Sequence, residues 1–75
     1  MTVQMIYMPL LNENAIVWAP VQAENLGDDL FRVLGPMPED EEWKFAAGSV
    51  VKAHLTRFSG GEEGIAAFEI SALQP

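Results

Sequence analysis

Glu39-Asp40-Glu41-Glu42 is the densest run of ligand-type oxygens in this 75-residue chain. Clustered carboxylates suit hard cations such as Ca²⁺ or Mg²⁺, but an EF-hand-type loop spaces its ligands at alternate positions around a central glycine. Consecutive acids point in different directions, so the run reads as a solvated turn. His54, the single histidine, would need a carboxylate or nucleophile converging on it to serve as a general acid or base. Ser49, Ser59 and Ser71 fall at strand ends or in a loop, outside any nucleophile motif. Gly60-Gly61-Glu62-Glu63-Gly64 has the glycines of a phosphate loop, yet its two carboxylates would repel phosphate and no Gly-Lys-Ser/Thr is present. Cysteine is absent, which removes thiol nucleophiles, Cys-ligated zinc and disulfides. The residues therefore predict no enzyme, no metal and no cofactor.

Charge narrows the partners. The chain carries 4 Lys+Arg against 11 Asp+Glu, a formal net charge of −7. Nucleic-acid binders present a basic stripe interleaved with aromatics. Here Arg32, Lys44, Lys52 and Arg57 are the whole basic inventory, and long-range repulsion opposes even a local patch of Arg32, Lys52 and His54. No apolar run approaches the ~20 residues that span a bilayer, and Met1-Thr2-Val3-Gln4 lacks the basic flank of a signal peptide. The expected setting is cytoplasmic, with no membrane and no nucleic acid.

The elements that must hold these residues are short. Gly and Pro recur at Pro9, Pro20, Gly27, Gly35-Pro36, Pro38, Gly48, Gly60-Gly61 and Gly64, leaving windows of strand length. Five strands fit, over about 3–10, 15–24, 30–34, 50–58 and 65–71. In the first, Val3, Met5 and Tyr7 share one face and Gln4, Ile6 and Met8 the other; both are largely apolar, and periodicity does not choose between them. In the second, Val17, Ala19, Val21 and Ala23 form the core face, with Trp18, Pro20, Gln22 and Glu24 opposite. Pro20 cannot donate to a ladder, so it must sit on an edge, at a bulge or where the strand changes partner. Phe31 and Val33 point inward. Ala66, Phe68 and Ile70 share a face of the fifth strand. Turns are expected at Asn12-Glu13-Asn14, at Asn25-Leu26-Gly27-Asp28-Asp29 and at 59–64, a helical or 3₁₀ turn over 38–43, and a loose tail over 72–75. The predicted fold is a single all-β domain over 1–75, a small five-stranded antiparallel SH3-like barrel. An OB-fold is the alternative, but it usually has longer strands and a real helix between the third and fourth.

On that frame the tryptophans stand out. Trp43, with Phe45, is expected to fill the core at one mouth of the barrel. Trp18 lies opposite the core face beside Pro20, either as an exposed anchor of the kind that dominates protein interfaces or under a loop folded across the outer wall. Phe58, Leu30 and Leu34 also lie off their strands' core faces. An outer apolar patch of this kind marks a contact site more often than catalysis. The residues expected to bind a protein partner are Trp18, Pro20, Arg32 and Phe58. A second reading makes the chain an acidic inhibitor or immunity-type protein that blocks a basic partner. A homodimer through an uncovered edge strand, or through the same patch, is a further option.

Val17-Trp18-x-Pro20-Val21-x-Ala23, the turn Leu26-Gly27-Asp28 and Phe31-Arg32-Val33-Leu34-Gly35-Pro36 form one continuing pattern. It runs on through Pro38-Glu39-Asp40-Glu41-Glu42-Trp43-x-Phe45 and Gly48-Ser49-Val50-Val51. Over residues 9–58 the chain resembles a family of small, largely uncharacterised bacterial proteins. The resemblance implies a small barrel and brings no reaction, cofactor or catalytic residue. The resemblance implies that relatives often have a basic residue after the tryptophan and a glycine later in the first turn, where this chain has Ala19 and Asp29.

Overall fold

A computed structural model describes residues 2–11 and 17–71. β1 (Thr2–Pro9), β2 (Trp18–Gly27), β3 (Leu30–Val33), β4 (Val50–Arg57) and β5 (Glu63–Ile70) close into one barrel in chain order. The all-β, five-stranded barrel expected from the sequence is thus the fold adopted. Consecutive strands pair antiparallel, whereas the closing pair, β1 with β5, is parallel. An up-and-down meander with an odd number of strands leaves its first and last strands pointing the same way, so one seam must be parallel. That seam holds a single register pair, Tyr7 with Ala66.

Hairpin geometry follows the turn residues. Asp28 and Asp29 both take positive φ, 56° and 63°, which matches the right-handed twist of flanking strands in a two-residue loop. Between β4 and β5, Phe58 N–H donates to Glu62 O at 2.7 Å and Gly61 N–H to Phe58 O at 2.9 Å. Gly61 supplies the left-handed position of that loop, φ 88°.

Pairing with β2 settles which face of β1 is inside. Ile6 opposes Val21 and Met8 opposes Ala19, and all four are buried. Val3 and Met5 are left 56% and 44% exposed. Ala19, Val21, Ala23, Phe31 and Val33 point inward as alternation predicts. Val17 does not: it precedes β2 and is exposed. On β5 the small Ala67 and the half-buried Ile65 serve the core, while Phe68 and Ile70 face out. The bore is already filled by Ile6, Met8, Phe31, Trp43 and Phe45, so the wall facing them is alanine, Ala53 against Ala67.

The long connection between β3 and β4 supplies two of those plugs. The helical turn expected over 38–43 reduces to a single hydrogen-bonded turn, Glu41 N–H to Pro38 O at 3.2 Å, and no helix forms among the described residues. The chain then lies along β1: Leu11 N–H donates to Glu42 O, Lys44 N–H to Pro9 O, and Leu10 bridges Trp43. This pairing carries Trp43 and Phe45 into the core, as their types predict. The Trp43 indole N–H finds the Glu41 carboxylate at 2.9 Å, so the buried donor is satisfied. The turn expected at Asn12-Glu13-Asn14, the start of the second strand at Ala15 and Ile16, and the tail over 72–75 lie outside the described residues.

Candidate functional site

The outer wall of β1 and β2 holds a second aromatic cluster, separate from the core. Trp18 opens β2 opposite Pro9, and Tyr7 lies opposite Pro20. Phe58, carried by the β4–β5 hairpin, folds over them. Its ring meets Tyr7 edge-on, with centroids 5.1 Å apart at 74°, and Trp18 at 5.4 Å and 45°. Both separations fall within the range of favourable aromatic pairs. All three rings are half-buried, and Pro20 beside them is exposed. Phe58 joins the other two rings, so the three form one cluster on the surface.

Local structure explains each placement. Leu10 N–H bonds Val17 O, so the even-numbered residues of β1 turn their backbone groups toward β2, and Tyr7 with Pro20 is a non-bonded pair. The Pro20 nitrogen therefore faces the far side of β2. There β3 has already ended, its last bond to β2 being Leu34 N–H to Gln22 O. Proline costs no ladder bond at this edge position, one of the placements its chemistry requires. Phe58 is held by the hairpin bonds, and Gly64 makes room for it: a Cβ there would run into the Tyr7 ring and come within 3.3 Å of Phe58.

Of the four residues expected to bind a partner, the structure brings Trp18, Pro20 and Phe58 to one place. Arg32 is elsewhere. It pairs with Glu24 on β2, six residues from Trp18, or roughly 20 Å along a strand rising ~3.3 Å per residue. Leu30 is likewise at the far end of the barrel, opposite Lys52 beside the β2–β3 hairpin. Sequence reasoning overlooked Tyr7 and Gly64. The sequence carried no signal for Gly64, which reads there as the end of the 59–64 turn; only in the fold does it lie within β5, where a strand glycine marks close approach of another group.

The remaining candidates separate in space. His54 stacks on Phe68, centroids 4.4 Å apart, on the exposed side of β4 and β5. Among the described residues no group of three or more His, Asp or Glu side chains is arranged to hold a metal ion. Glu39, Asp40 and Glu42 are exposed, and Glu41 is bonded to the Trp43 indole. The glycine-rich segment is the β4–β5 hairpin loop, with Arg57 and Glu63 forming an exposed ion pair at 3.4 Å beside it. No helix among the described residues is long and apolar enough to cross a membrane. Comparison with protein-family models, with curated proteins and with solved structures gave no match to this chain.

Proposed function

We propose that this chain is a non-enzymatic protein-interaction module that docks a protein partner through the outer cluster of Trp18, Tyr7 and Phe58, with Pro20 at its rim. One observation carries the reading: Phe58 packs against both Tyr7 and Trp18 on the outer wall of a barrel that already has a full core, each ring with surface left in solvent. Aromatic side chains are large, rigid and cheap to order, which is why they anchor interfaces. Arg32, about 20 Å away, has no part in this surface. The proposed setting is the bacterial cytoplasm, in keeping with the resemblance to small bacterial proteins.

The test is capture from native cell extract with wild-type and Trp18→Ala baits, each at low and high salt. Trp18→Ala removes a half-buried ring, so the barrel should stay folded with a loss of about 1–2 kcal/mol, read from a thermal melt. A protein captured by wild type at both salts and lost with the variant supports docking through the rings. Capture that survives the substitution and vanishes at high salt transfers the function to the acidic surface, the inhibitor reading. Unfolding of Trp18→Ala would show that the ring is structural and remove the basis of the proposal.

A further inference from the structure

At the other end of β1 a different surface is open. The odd-numbered residues of this strand turn their N–H and C=O groups away from β2. Leu11 and Pro9 spend theirs on Glu42 and Lys44, and Tyr7 meets β5 at the seam's single register pair. Val3 and Met5 follow in the same parity, and among the described residues neither has a register pair on β5, whose one pair with β1 is at Tyr7. Their side chains are also the exposed ones, at 56% and 44%. An unpaired strand edge is a template for another strand, and proteins normally guard it with charge, proline or a bulge. None of these guards stands between Thr2 and Met8.

Charge selects the occupant. β1 is the one strand without a charged residue: β2 has Glu24, β3 Arg32, β4 Lys52 and Arg57, β5 Glu63 and Glu69. A second copy carries the same −7 and can approach only where no carboxylates meet. We infer that β1 pairs antiparallel with β1 of a second copy about a two-fold axis at Gln4, giving an isologous dimer. In that register Val3 lies opposite Met5 of the second copy, and Met5 opposite its Val3. Each such pair exchanges both N–H···O bonds, and the outward row is apolar throughout, with no like charges opposed. The surface adjoins the aromatic cluster at Tyr7, two residues or about 7 Å along β1 from Met5, while Trp18 lies farther on, opposite Pro9.

Sedimentation equilibrium of the isolated chain across a wide concentration series, at low and high NaCl, tests this. Wild type should dimerise reversibly, and more tightly at high salt because screening relieves repulsion between two acidic copies. Met5→Pro deletes only the outward N–H, once in each copy. It should leave the barrel folded and weaken the dimer about thirtyfold, with Val3 amide exchange no longer slowing as concentration rises. Met5→Lys, an exposed side-chain change, should weaken it comparably and serves if the proline variant misfolds. Trp18→Ala should dimerise as wild type does, which separates this surface from the docking cluster. A wild type that stays monomeric throughout, or a dimer that survives both Met5 substitutions, overturns the inference.

Discussion

Gly64 is the residue on which the outer cluster depends. Tyr7 and Phe58 occupy the space a β-carbon would need, so Gly64→Ala must push one or both rings off the wall. The expected cost is about 1–3 kcal/mol, the usual penalty for overpacking, with the Tyr7 and Phe58 ring resonances shifted in NMR spectra and partner capture lost. Unchanged ring shifts would show that the cluster does not lean on this glycine. Trp18 and Pro20 were legible from the sequence, because strand alternation places both opposite an unambiguous core face. Tyr7 was not, since β1 is apolar on both sides and its ring acquires a role only when a hairpin remote in sequence delivers Phe58.

The hairpins are the elements whose chemistry reads most directly. Asp28 and Asp29 both hold positive φ, a conformation that costs L-residues energy and that aspartate tolerates better than most. Glycine at position 29 removes the strain and one of two adjacent like charges. Asp29→Gly should raise stability by roughly 0.5–1 kcal/mol, measured as a shift in urea midpoint at constant slope; a lower midpoint would contradict the turn geometry. The long β3–β4 connection was less legible. Its proline and acids suggested a helical turn, but its backbone is organised by pairing with Pro9 and Leu11, a long-range contact that local propensity does not encode. The edge of β1 is similar: its lack of charge is visible in the sequence, while the confinement of its register with β5 to Tyr7 emerges only in the folded barrel.

At the scale of the molecule, charge opposes compactness. Eleven carboxylates against four bases leave the folded chain repelling itself, and the Arg57–Glu63 pair is too exposed to offset it. Raising NaCl from about 10 mM to about 500 mM shrinks the Debye length from roughly 30 Å to a few Å. The thermal midpoint should rise by several degrees over that range, measured at a concentration low enough to keep the chain monomeric. A midpoint that falls with salt would mean that attractive pairs outweigh the net repulsion.

The sequence by itself determined the number of strands, their approximate limits, the inward faces of β2 and β3, and the burial of Trp43 and Phe45. Each of these follows from local rules: where glycine and proline interrupt the chain, where side chains alternate, and which rings are too large to leave in water. Tertiary structure alone decided which face of β1 is buried, why β5 turns alanine rather than phenylalanine inward, and which aromatic rings meet on the outer wall. Those outcomes depend on register and on the volume left inside a closed barrel, and both are properties of strands brought together.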